Sequence, residues 1–336
     1  MSVRPSQRRV HDASQSPATA GALATVPGAS TLWAMLAALR PQQWSKNGLV
    51  LLALVFSHRL TDPAALGRVL LATLAFCFAA SAVYVLNDVA DRRRDRLHPT
   101  KRMRPIASGQ VSVPAALGLA AACATLAVAV TLWLALAGLH GLLDPFARWG
   151  GAPVLLFLTL AGYLSLNIAY SFWLKHEVLW DVFIIAAGFV LRALFGAFAI
   201  PVPISPWFYL CTTFLALLLA LGKRRAELLA VADGDTGQRD ILRRYTVQLL
   251  DQLLVVAVTC TLITYSLYTF QAEGTSHTLM VTIPFVVFGV FRYLYLLYVR
   301  GDGERPDELL WRDRQILGSV MACAVVAMVL IYIVPR

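Results

Sequence analysis

Residues 87–95 read NDVADRRRD. They set three carboxylates, Asp88, Asp91 and Asp95, directly after the uncharged run LLATLAFCFAASAVYVL. A charged group beside hydrocarbon is costly, so such a cluster is read first as a site. The competing reading is a solvated loop that merely ends a membrane span. On a continuing helix Asp88, Asp91 and Asp95 fall at i, i+3 and i+7, and Asn87, Asp91 and Asp95 share one stripe with Asp88 beside it. Three carboxylates on one stripe repel each other unless a cation lies among them. Hard oxygen donors that keep open positions, with the metal shared with substrate phosphates, suit Mg²⁺. Asn87, Asp88, Asp91 and Asp95 are therefore the candidate metal ligands. The bland alternative is that the arginines neutralise the acids in a helix-surface network.

Three further groups carry charge. LGKRRAELL (221–229) brings Lys223, Arg224, Arg225 and Glu227 within about one turn. Lys223 and Glu227 at i, i+4 could be a surface ion pair, and the run could be a basic membrane anchor. Beside an acidic stripe, the same cations read as phosphate clamps. YSFWLKHEVLWDVF (170–183) holds Lys175 and Asp181, and Arg192 follows in GFVLRALFGAFAI. Asp181 and Arg192 share a helix face, and an Arg deep in a span faces a bundle interior or a water-filled cavity. The alternative is a structural pair with another helix. LRPQQWSKN (39–47) presents Arg40, Gln43, Trp44, Lys46 and Asn47, either as an interfacial anchor or as a rim contact to a phosphorylated substrate.

The elements that must position these groups are membrane helices. The chain has 336 residues, 58% hydrophobic and 14% charged, against about 25% charged in a soluble domain. Mean hydropathy is +0.66. Nine spans are predicted, at 45–60, 64–86, 112–137, 152–173, 178–200, 206–222, 246–270, 278–299 and 315–334. The fold class is thus all-α, a multi-pass helical bundle. Lys and Arg crowd the loops after spans two, six and eight and are sparse in the loops between, which predicts a cytoplasmic N-terminus and cytoplasmic charged clusters. The net charge of +10 follows from that asymmetry and does not imply nucleic acid. Residues 1–30, rich in Ser, Ala, Pro and Arg, read as a disordered cytoplasmic tail ahead of a single domain, 31–336. The five cysteines lie in apolar segments with no C-x-x-C pair. No G-x-x-x-x-G-K-[ST], H-E-x-x-H or G-x-S-x-G occurs.

NDVADRRRD fits the N-D-x-x-D-x-x-x-D motif of the UbiA superfamily of intramembrane prenyltransferases, and HPTKRMRPIASG (98–109) resembles the segment that follows that motif. The nine-span pattern agrees. Typical prenyltransferases of the superfamily carry a second D-x-x-x-D motif after span six. This chain has GKRRAEL there and so resembles the decaprenyl-phosphate phosphoribosyltransferase branch, as do RPQQWSKN and YSFWLKH. The resemblance implies an enzyme of the plasma (inner) membrane that moves phosphoribose from phosphoribosyl pyrophosphate (PRPP) to a polyprenyl phosphate, releasing pyrophosphate, in cell-envelope arabinose synthesis.

Roles follow from the resemblance. Asp88, Asp91 and Asp95, with Asn87, would hold Mg²⁺–pyrophosphate. Lys101, Arg102 and Arg104 would cap donor phosphates. Lys223, Arg224 and Glu227 would bind ribose phosphate or pyrophosphate, and Lys46, Lys175 and Arg192 would serve the lipid phosphate or the electrostatics of the cavity. Two rival functions stand beside this one: prenyl transfer from a prenyl diphosphate to an aromatic or other acceptor, and anion transport without catalysis. Self-association into a homo-oligomer is left open.

Overall fold

The structure is a computed structural model that describes residues 31–137, 144–232, 240–271, 277–303 and 306–333. The 1–30 tail, residues 233–239 with Asp233 and Asp235, and residues 334–336 lie outside the described residues. Among the described residues the chain is helical, without strands. Eight helices there are long and apolar enough to cross a membrane. These are α3 (Pro63–Ala90), α5 (Val113–Leu136), α6 (Ala152–Phe172), α7 (Trp180–Ala199), α8 (Pro206–Ala232), α9 (Val247–Gln271), the Thr278–Arg300 span containing α10 (Ile283–Tyr295), and α12 (Arg314–Tyr332). Shorter helices α1 (Thr31–Ala38), α2 (Leu52–Phe56), α4 (Arg92–Leu97) and α11 (Pro306–Arg312) flank them. The protein is an integral membrane protein.

The predicted first span has a different build. It consists of a 3₁₀ helix, Pro41–Leu51, followed by the five-residue α2. Hydropathy cannot separate such a segment from an α-helix. A broken segment survives at membrane depth only where protein surrounds it, and here it packs on α3 and α7. The contact with α7 depends on Gly196: a Cβ there would lie 2.0 Å from the carbonyl oxygen of Val50. Asn47, fully buried, faces the same helix.

Helix starts follow from the sequence. Asp62 accepts from the backbone N–H of Ala64 and Ala65 ahead of α3, Ser112 from Ala115 ahead of α5, and Asp313 from Gln315 and Ile316 ahead of α12. Pro follows at N1 of α3 and N2 of α5, where a missing N–H costs nothing.

Two helices are central. In their most apolar windows α3 and α7 are 61% and 67% buried, against 22–33% for the rest, so the others present most of their surface to lipid. On α3 the buried stripe is small: Ala72, Ala75, Ala79 and Ala80 let α5 and α7 approach closely. One core joins α3, α6, α7 and the broken span, and a second joins α7, α8, α9 and α10. Helix α7 belongs to both, which puts Asp181 and Arg192 at the seam between them.

Candidate active site

Helix α3 ends one residue before Asp91, which sits outside helical geometry at φ −89°, ψ 1°. The chain then turns into α4. This break redistributes the predicted acidic stripe into two pairs. Asp88 and Asp95, both buried, meet around one guanidinium: Nη1 of Arg104 lies 3.0 Å from Oδ1 of Asp88 and 2.7 Å from Oδ2 of Asp95. Nη2 of Arg40 donates to the same Asp88 oxygen at 2.5 Å. Asn87 and Asp91 turn instead toward the end of α6. Asn87 accepts from the Ser171 hydroxyl, and Asp91 accepts from Nζ of Lys175 at 2.6 Å. Both partners lie 84 residues downstream, so α3 and α6 are held like two rungs in register.

Arg40 was readable only as part of a possible rim segment, and the structure makes it a direct partner of the acidic motif. Its backbone is left-handed, φ 54° and ψ 58°, immediately before Pro41. That conformation costs on the order of 1 kcal/mol for a residue with a Cβ. Its neighbours hold it in place: Ser81 Oγ donates to the Leu39 carbonyl at 2.9 Å and accepts from Trp44 Nε1 at 3.0 Å. The guanidinium also lies 5.5 Å from the centre of the Tyr84 ring.

The second cationic group is built on α8. Arg224 is 2% exposed and pairs with the fully buried Asp181 at 2.6 Å. It also donates to Glu227. Lys223, more open, reaches Glu227 at 3.8 Å. Tyr245, missed in the sequence because it lies 64 residues from its partner, donates to Asp181 at 2.7 Å and accepts from the Leu179 backbone N–H. Burial pushes the Tyr245 phenol pKa up, so the hydroxyl stays a donor. Arg225 faces the other way, pairing with Asp251 at 2.6 Å and stacking on the Tyr298 ring at 4.1 Å.

The Arg192 guanidinium is held by three groups. Nε donates to Asn47 Oδ1 at 2.8 Å, Nη1 to the Gly188 carbonyl at 2.6 Å and Nη2 to Tyr163 at 3.1 Å. It therefore lies deeper than the acidic cluster and pins the broken span. Lys46 is half-buried on that span, and Lys101 and Arg102 are exposed on a 3₁₀ turn, Lys101–Met103, beside Arg104.

The donor set suits a divalent cation. Two carboxylates already converge on a single cationic nitrogen, and the oxygens are hard ligands. Mg²⁺ commonly takes only one or two carboxylates and completes its shell with water and substrate phosphates. Among the described residues no three His, Cys, Asp or Glu side chains converge. A cation held here would rest on the two carboxylates Asp88 and Asp95, with Asp91 and Asn87 alongside.

The family model for the UbiA prenyltransferase family matches residues 28–312. The decaprenyl-phosphate phosphoribosyltransferase of Mycolicibacterium smegmatis is 34% identical over 297 residues, covering 83% of this chain and 86% of that protein. The Corynebacterium glutamicum protein of the same name is 33% identical, covering 90% and 87%. A solved UbiA homologue from Archaeoglobus fulgidus, bound to DMAPP and Mg²⁺, superposes with a TM-score of 0.64 at 20% identity, over 89% of this chain and 99% of that one. That likeness carries the fold. The family match spans both charged clusters and the helices that hold them, so the chain belongs to the UbiA prenyltransferase family and is a membrane-embedded transferase.

Proposed function

We propose that the chain transfers 5-phosphoribose from PRPP to a polyprenyl phosphate and releases pyrophosphate, with Mg²⁺ at Asp88 and Asp95. One observation carries this reading. The acids of the first motif lie among cations, and the α8 position that would hold a second acidic motif carries Lys223 and Arg224, with Glu227 bound to both. Two polyphosphorylated substrates need that balance. The relatives named decaprenyl-phosphate phosphoribosyltransferase support the same choice of substrates.

The reaction is a displacement at C1 of the ribose. A phosphate oxygen of the lipid forms the new C1–O bond, and the C1–O bond to pyrophosphate breaks, with the electron pair leaving on pyrophosphate. The attacking oxygen is already anionic, so no strong general base is required. Bound Mg²⁺ supplies charge neutralisation on the departing pyrophosphate. Asp88 and Asp95 would hold it, with Asp91 and Asn87 beside them. Arg104 and Arg40 then pass from these acids to donor phosphates, and Lys101 and Arg102 cap the outer face. Lys175, on Asp91, stands next to the acceptor phosphate. Arg224, Lys223 and Glu227 bind the 5-phosphate end. Lys46 and Arg192 set the positive potential deeper in the site. Positioning and electrostatic stabilisation of the leaving group supply the rate. The excess of Lys and Arg in the loops around this cluster supports a cytoplasmic site, on the side where a soluble donor is found.

The test is transfer with purified protein, Mg²⁺, polyprenyl phosphate and radiolabelled PRPP, following organic-extractable label and pyrophosphate. Label passing into lipid supports the proposal. Transfer from a prenyl diphosphate to an aromatic acceptor, with none from PRPP, refutes it.

A further inference from the structure

A cavity of about 520 Å³ opens at the other end of the bundle, away from the acidic cluster. Its walls come from the turn after α2, the loop between α7 and α8, and the last turns of α9. Phe56, Phe208 and Tyr268 form one wall, with ring centroids 5.6–5.7 Å apart. Ser57, Ser205, Thr212 and Gln271 add hydroxyls and an amide. The volume is that of a small-molecule site, yet the proposed reaction gives it no role.

Its charge is one-sided. Arg59 lines it, and Nη1 of Arg59 is buried without a hydrogen-bond partner. No Asp or Glu is among the described lining residues. Arg68, the other arginine flanking this loop, is occupied by the carbonyls of Leu134 and Ala199 at 2.8 Å each. The positive end of α8, beginning at Pro206, faces the same space through Ser205 and Phe208. A buried guanidinium nitrogen without a partner is costly, and an anion would relieve it. A helix N-terminus adds to that preference. The turn bearing Arg59 is also fixed: His58 is left-handed at φ 58°, and the Tyr332 hydroxyl accepts from the Leu60 N–H at 3.3 Å and donates to the Val55 carbonyl at 2.9 Å.

We infer that this cavity is a second binding site, for the phosphate headgroup of an anionic membrane lipid. Arg59 and the first turn of α8 take the phosphate, and the aromatic wall takes the first carbons of the tail. The position at the ends of the spans, where headgroups and aromatic side chains gather, favours a lipid over a soluble anion.

The experiment is native mass spectrometry of the purified full chain with dioleoyl phosphatidic acid, with phosphatidylcholine and inorganic phosphate as separate arms. Arg59→Gln is expected to retain phosphatidic acid at least fivefold more weakly, and Arg59→Lys to restore most of it. Ala193→Phe, which fills the cavity and leaves Arg59 in place, is expected to lose it too, so the test survives if Arg59→Gln does not fold. Equal retention by the folded variants overturns the inference. So does displacement of the lipid by millimolar inorganic phosphate, which would mark a site for the free ion, or equal retention of phosphatidylcholine.

Discussion

Arg192 of α7 donates from Nε to Oδ1 of Asn47, 145 residues earlier, and both side chains are buried. This bond ties the broken first span to the helix that joins the two cores. Asn47→Leu removes the acceptor and leaves a cationic nitrogen in an apolar setting. A hydrogen bond to a charged group contributes about 1.5–3 kcal/mol. The variant is expected to unfold several degrees lower in a detergent thermal scan, and an unchanged midpoint would contradict this role.

Gly196 makes the same contact possible on the backbone side. A methyl there collides with the Val50 carbonyl at 2.0 Å, so Gly196→Ala is expected to give aggregated or inactive protein. Gly118→Ala is the control: nothing lies within 4 Å of its added carbon, and removing a helical glycine contributes roughly 0.5–1 kcal/mol of stability. Size-exclusion profiles of the two variants make the comparison, and a monodisperse Gly196→Ala protein would count against the close approach.

The acidic motif divides into two pairs, Asp88 with Asp95 and Asn87 with Asp91. Asp88→Asn and Asp95→Asn each remove one of the two carboxylates that share Arg104, and transfer is expected to fall on the order of 10²-fold or more. Asp91→Asn is expected to abolish Mg²⁺-dependent turnover while the protein still elutes as a folded species. Radiolabel transfer at saturating Mg²⁺ reads both effects. Full turnover in Asp91→Asn would remove it from the site.

Arg224 and Lys223 are neighbours with different expected phenotypes. Arg224→Gln strands the fully buried Asp181, and breaking such a pair costs about 3–5 kcal/mol, so loss of fold is expected. The Lys223 side chain is 41% exposed and its pair is worth no more than about 1 kcal/mol. Lys223→Gln is expected to keep its melting temperature and raise KM for the phosphorylated donor. A KM unchanged in Lys223→Gln would take the residue out of the donor site.

Asp313 gives a pH signature outside the site. Hydrogen bonds from Arg292 and from the start of α12 hold its carboxyl below the usual range. A depressed folded-state pKa gives stability above the unfolded value, near 4, that disappears as pH falls through the folded value. The melting-temperature gap between the native chain and Asp313→Asn, which keeps a helix cap, should be constant near neutrality and close below about pH 4. A gap that did not shrink as pH falls below about 4 would place the effect elsewhere.

The spans, their alternating charge and the acids of NDVADRRRD could be read from the chain because each is a local pattern: a hydrophobic run, a loop count, a fixed spacing. The break at Asp91 could not, since helical spacing is all that periodicity offers there. It is this break that brings Asp88 to Asp95 and sends Asp91 to Lys175. Partners far along the chain were equally hidden. Arg40 finds Asp88 across 48 residues, and Tyr245 finds Asp181 across 64, and neither leaves a mark in local sequence. The 45–60 segment read as a span because hydropathy registers the solvent a segment prefers and is blind to whether its backbone is α or 3₁₀.

That same segment bears on the order of membrane insertion. Pro41–Phe56 leaves the ribosome just after α1, and as a 3₁₀ helix with a short α turn it satisfies its backbone poorly in lipid. Its binding surfaces are α3 and α7, and Gly196 and Arg192 emerge more than a hundred residues later. It must therefore wait at the interface until α7 arrives. A nascent chain halted before α7 should leave residues 41–56 open to protease, and one halted after α7 should protect them.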